Sequence, residues 1–110
     1  MNSLTRNEEL ILLSIWKLKD EAYGISIRKH LVETARLGLH YGSLYNSLYK
    51  LVKKGLVSTA KSAPQPQKGG RSKVLYHLTD LGREALREAQ RIHRSVWRDI
   101  PELAFEGDSD

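Results

Sequence analysis

The sequence contains no cysteine in its 110 residues, so disulfides and thiolate metal centres are excluded. It has no long apolar run. The longest, Leu10 to Leu13, is four residues, far short of the roughly 18 that a membrane span requires. The opening "MNSLTRNEEL" lacks the basic-then-apolar order of a secretory signal, and a cytoplasmic protein is expected. No nucleophile elbow, phosphate loop or paired-carboxylate site occurs. The four histidines, His30, His40, His77 and His93, lack partners at metal-ligand spacing. Neither a metal, a cofactor nor an enzymatic activity is therefore expected. The scarcity that says most is of acid. Of 13 acidic residues only Glu33 falls within 28–73, which holds ten of the 18 basic ones. That segment carries +9 and the rest of the chain −4. A one-signed middle points to a polyanionic partner, nucleic acid first.

What is present is helical punctuation. Thr5 and Glu8 have capping-box spacing, which predicts a helix from about residue 6. Its apolar positions, Leu10 to Trp16, cover more than one stripe, so burial on two sides is expected. After a turn over 20–24, a second helix over about 25–35 turns Ile27, Leu31 and Val32 inward, and Gly38 offers a left-handed cap. A third helix, about 42–54, is stopped by Gly55. Two strand candidates, 56–61 and 73–78, flank "SAPQPQKGGRS", whose two prolines and two glycines mark a long hairpin loop. Thr79 caps a last helix over about 80–99, and Pro101 opens an acidic tail expected to be partly disordered.

The third helix carries the functional reading. Leu44, Leu48 and Leu51 lie within about 60° of one another on a helical wheel, a narrow apolar seam. The opposite side holds Gly42, Asn46, Lys50 and Lys53, with Tyr45 and Tyr49 on the flank. Three helices and a two-stranded hairpin, in that order, make a winged helix-turn-helix: a mainly α fold with a small β-hairpin. One side of such a third helix packs on its own domain and the other enters a DNA groove. The division expected is a DNA-binding domain over 1–78, a dimerisation helix over 79–100 and the tail over 101–110.

At this point the chain resembles the PadR family of bacterial transcription regulators. The resemblance rests on "GSLYNSLYKLVKKGLV" from Gly42, on "GGRSKVLYHLTDLG" from Gly69 to Gly82, and on "EAYGISIRKHL" upstream. Two departures are the Val52-Lys53 pair, where members often carry glutamate, and a wing longer and richer in proline and glutamine. The resemblance implies a homodimeric DNA-binding repressor. Such proteins often control their own gene and a neighbouring transport, stress or detoxification gene, and some bind a small hydrophobic effector near the dimer interface.

On the third helix, Asn46 is the candidate base reader, because its amide can pair bidentately with adenine. Ser43 either holds a phosphate at the helix start or merely caps it. Tyr41, Tyr45 and Tyr49 are read as DNA-facing, Tyr45 through its hydroxyl on phosphate, with partial burial on the domain flank as the other reading. His40, Lys50 and Lys53 complete this set, Lys53 and Lys54 being otherwise ordinary solvated lysines. In the wing, Lys68, Gly69, Arg71 and Lys73 either enter a minor groove or touch only phosphates. On the last helix, Ala85, Ala89, Ile92 and Val96 form a coiled-coil-like seam beside a stripe of Leu86, His93, Trp97 and Ile100. Both are expected at a dimer interface, with Trp97 and Trp16 candidates for an effector site. The partners expected are a palindromic DNA operator and a second copy of the chain. Rival readings are a DNA-binding winged helix without effector and a protein-assembly module, the latter disfavoured by the basic third helix.

Overall fold

The helices begin where their capping groups allow. A computed structural model describes residues 4–62 and 73–102. Helix α1 (Arg6–Leu18) opens on the expected capping box: the Glu8 N–H donates to Thr5 Oγ1 at 3.1 Å and the Thr5 N–H to Glu8 Oε1 at 2.9 Å. A 3₁₀ turn (Lys19–Glu21) leads to α2 (Gly24–Ala35) and then α3 (Tyr41–Lys53). Strands β1 (Val57–Lys61) and β2 (Val74–Leu78) pair antiparallel, with Val57 opposite Leu78 and Lys61 opposite Val74. Helix α4 (Asp80–Trp97) closes the order. It stops short of 99, at Trp97, because Arg98 is extended (ψ 134°) and Asp99 is left-handed (φ 65°). The fold is the winged helix-turn-helix expected. Lys68, Gly69 and Arg71, and all of the tail from residue 103, lie outside the described residues.

One core joins every element. Ile11, Leu12 and Ile15 of α1, Ile27 and Leu31 of α2, and Leu44, Leu48 and Leu51 of α3 are at most 2% exposed. Leu56, Val57, Tyr76 and Ala85 seal it on the hairpin side. Each such aliphatic side chain contributes about 1.5–3 kcal/mol through burial. The wing is tied to the helical layer as well: the Tyr76 N–H donates to the Ala22 carbonyl at 2.8 Å, in front of α2.

Four expectations need correcting. The left-handed residue that ends α2 is Arg36 (φ 53°), not Gly38. The turn must come there because Leu37 and Leu39 fold back onto the core, and the Leu37 N–H closes on the Leu31 carbonyl at 3.1 Å. Val32 is 40% exposed, since α1 and α3 cover only the Ile27–Leu31 row of α2. Helix α1 is buried on one side only in the single chain, with Leu13 and Trp16 facing out. Finally, Ala85 and Leu86 pack into the chain's own core, whereas Ile92, Val96, Trp97 and Ile100 remain 41–66% exposed. The 4-3-4 seam is thus divided, its first turn buried within the chain and its last turns exposed.

The joint between α3 and α4 is a close backbone approach. Gly55, at φ 78°, reverses the chain after α3, and the Leu56 N–H returns to the Leu51 carbonyl at 3.0 Å. The Leu56 carbonyl then accepts the Thr79 N–H at 3.1 Å. The Thr79 hydroxyl donates to the Gly55 carbonyl at 2.6 Å and accepts from the Gly82 N–H at 3.0 Å. A Cβ on Gly82 would stand 2.1 Å from the Leu56 carbonyl oxygen. Backbone cannot yield there as a side chain would. Gly82→Ala is expected to cost about 3 kcal/mol, read as a lowered midpoint in urea unfolding, although alanine is the better helix former.

Candidate nucleic-acid interface

Helix α3 is fully buried only at Leu44, Leu48 and Leu51, with Val52 partly buried beside them, and the row Gly42, Ser43, Asn46, Lys50 and Lys53 is exposed. His40, at its N-cap, makes no side-chain capping bond. Ser43 lies three residues inside the helix, so it is not the capping residue. The side chains of Ser43, Asn46 and Lys50 are exposed and make no hydrogen bond or ion pair with any described residue. Gly42 is exposed with nothing within 4 Å of a would-be Cβ, which leaves the first turn open to close approach. Uncommitted donors at a helix N-terminus, a free amide in mid-helix and a lysine one turn on can hold phosphate and read a base edge.

The tyrosines divide differently from the sequence expectation. Tyr45 leans on α2: a Cβ on Gly24 would meet its Oη at 2.0 Å. Its hydroxyl is thus turned towards the chain's own second helix, not outward as a phosphate clamp. The neighbouring Tyr76 phenol has its pKa raised, first by burial and then by the proximity of Tyr45. Tyr41 stacks on Tyr45 with ring centroids 6.4 Å apart, and Tyr49 is 61% exposed. Cations lie over three rings: Arg28 over Tyr41 at 5.0 Å, Lys53 over Tyr49 at 5.7 Å and Lys73 over Tyr23 at 4.1 Å. Arg28 also donates from Nε to the Leu39 carbonyl at 2.7 Å, fixing the turn before α3. Sequence reading counted Arg28 only as a charge and missed Tyr23. Neither stands at a periodic spacing from its partner, so only folding reveals them.

Lys54 is not an ordinary solvated lysine. Its Nζ donates to Glu8 Oε2 at 2.6 Å, tying the end of α3 to the first turn of α1. Away from this face, a cleft of about 450 Å³ between α1 and α4 is lined by Leu13, Trp16, Leu86 and His93 among others. Trp97 stands further along α4, its ring 5.8 Å from that of His93. Among the described residues no cluster of three or more His, Cys, Asp or Glu could hold a metal, and no helix is long and apolar enough to cross a membrane.

The model of the transcriptional regulator PadR-like family matches residues 12–88. Similar solved structures include a PadR family transcription regulator from Clostridium difficile, 30% identical, with 81% of this chain and 88% of that one covered and a TM-score of 0.66. A PadR-like transcription factor from Bacteroides fragilis is 30% identical over 82% of each chain, TM-score 0.68. A PadR-like transcriptional regulator from Bacillus cereus is 28% identical over 82% of each chain, TM-score 0.69. No curated protein matches the chain significantly.

The Glu8–Lys54 tie has a pH signature. Burial alone would raise the Glu8 pKa, but hydrogen bonds from Lys54 and Thr5 and the lysine charge outweigh it and lower it. A lowered folded-state pKa means stability that is present above the unfolded value, about 4.3, and lost as pH falls through the folded one. Glu8→Gln keeps a capping side chain and removes the charge. It should cost about 1 kcal/mol at neutral pH, and the gap from wild type in melting temperature should close as the medium is acidified below the usual glutamate range.

Proposed function

The chain belongs to the PadR-like family of transcriptional regulators, and from that premise we propose that it is a homodimeric repressor that occupies a palindromic operator. It is a DNA-binding regulator by family and fold, not an enzyme. In the proposed complex α3 lies in the major groove and the wing between residues 62 and 73 reaches beside it. Asn46 reads a base, and Ser43, Lys50, Lys53 and Lys73 contact phosphates. Repression is by occupancy, and a small hydrophobic effector bound beside α1 and α4 lowers operator affinity. The targets proposed are its own gene and a neighbouring transport, stress or detoxification gene.

The observation that carries the reading is the division of α3: every leucine of its seam is fully buried while Ser43, Asn46 and Lys50 are free. Dimerisation is supported by the apolar end of α4. Ile92, Val96 and Trp97 on α4, with Leu13 and Trp16 on α1, expose large apolar groups that a second copy would cover. The cleft beside Trp16 supports the effector reading through its size and its apolar wall of Leu13, Trp16 and Leu86.

Two outcomes are expected. Affinity for duplex DNA should fall steeply with salt, with a slope representing on the order of 6–10 neutralised phosphates per dimer; a salt-independent association would remove the electrostatic basis. On an operator selected from random duplexes, Asn46→Ala should lose about 1–3 kcal/mol at one position per half-site while binding to random DNA is unchanged. The subunit contact is read separately by sedimentation: Ile92→Asp should shift the protein to monomer with its helical content intact.

A further inference from the structure

We infer that Tyr41, Tyr49 and Tyr23 are positioning residues, whose rings hold Arg28, Lys53 and Lys73 in place for phosphate without neutralising them. The inference rests on the DNA-binding reading above.

The contrast between two ways of holding a cation carries it. On α4 three of the four arginines are paired with a carboxylate three residues before them: Arg83 with Asp80, Arg87 with Glu84 and Arg91 with Glu88. Lys54 is paired with Glu8. Arg28, Lys53 and Lys73 have no ion pair with any described acid, and each stands over a tyrosine ring instead. A carboxylate would order the side chain but cancel its charge and repel an incoming phosphate. The negative face of an aromatic ring orders the cation through its quadrupole and leaves the net charge intact. Cations pre-ordered in this way also lose less side-chain freedom when the polyanion arrives.

Arg28 shows the arrangement most fully. Its Nε is committed to the Leu39 carbonyl, its guanidinium lies on Tyr41, and its Nη groups have no partner among the described residues. Tyr41 is itself stacked on Tyr45, and Tyr45 rests on Gly24 of α2. The stack runs from α2 to α3 and back, so the two free Nη groups sit on a rigid base beside the first turn of α3. Lys73 at the foot of the wing and Lys53 at the end of α3 repeat the device at two other points.

The test separates ring from hydroxyl. Binding of the full chain to a labelled mixed-sequence duplex is measured by anisotropy against salt for wild type, Tyr41→Phe, Tyr41→Leu, Arg28→Gln and the Leu/Gln double variant. Tyr41→Phe should bind as wild type. Tyr41→Leu should bind about two- to five-fold more weakly per subunit, the worth of an exposed cation–aromatic contact, with its salt slope unchanged because no charge is lost. Arg28→Gln should weaken binding and flatten the slope, and adding Tyr41→Leu to it should cost nothing further. Tyr49→Phe and Tyr49→Leu, on a more exposed ring, give the same comparison if Tyr41→Leu lowers the melting temperature. Phenylalanine as damaging as leucine would overturn the inference in favour of a hydroxyl contact, as would leucine binding like wild type or additive losses in the double variant. Wild-type protein that ignores the duplex at low salt would instead overturn the DNA reading itself.

Discussion

The Leu56 carbonyl is the point on which the rest of the arrangement depends. It ends the turn after α3, starts the wing, accepts the Thr79 N–H and lies so near Gly82 that no side chain fits between. Three elements meet there through backbone, which deforms far less readily than side chains. Covalent geometry and two threonine hydrogen bonds therefore join α3 to α4, beside the packing of Ala85 and Leu86 on the core. Whatever moves α4 moves the end of α3 with it. At the other side of α3 the Glu8–Lys54 pair makes a second, electrostatic tie to α1. An event at the α1–α4 cleft thus has two short routes to the helix proposed to face DNA.

Charge is sorted along the same lines. Three of the four arginines of α4, all but Arg94, are answered by a carboxylate one turn away, so most of the positive charge of the helix is offset within it. That suits an exposed apolar edge proposed to meet its own copy, where like charges would oppose association. On α3 and the wing base the cations are left unanswered.

Much of this was legible in the sequence, and the unread parts share a cause. The capping box at Thr5–Glu8, the stop at Gly55, the strands and the Thr79 cap are local signals, governed by residues within a turn of one another, and each stands where its signal put it. The leucine seam of α3 is equally local, a matter of period. Misreadings arose where tertiary packing overrode a local preference. Arg36 takes the left-handed cap that Gly38 could have taken, since Leu37 and Leu39 must reach the core. Ala85, written into a dimer seam by its spacing, is absorbed by the core of its own subunit. Tyr45 lay on the flank of the helical wheel and was read as clamping phosphate, since a wheel cannot register that α2 presents a glycine at that height. The pairings of Arg28 with Tyr41 and Lys73 with Tyr23 join residues far apart in the chain, and no periodicity relates them. Wing residues 68, 69 and 71 carry sequence expectations that lie beyond the described residues.

The separation of duties on α3 has a consequence for how such a protein can diverge. Residues that hold the helix in place, Leu44, Leu48 and Leu51, are distinct from Ser43, Asn46 and Lys50, whose side chains make no hydrogen bond or ion pair among the described residues. Exposed positions of that kind usually tolerate exchange within about 0.5 kcal/mol of stability. If these positions read DNA as proposed, a duplicated copy of the gene could drift to a new address on the chromosome through them, without first having to acquire a more stable fold. The tyrosine-held cations, proposed to grip phosphate whatever the base sequence, would keep it on the duplex while it did so.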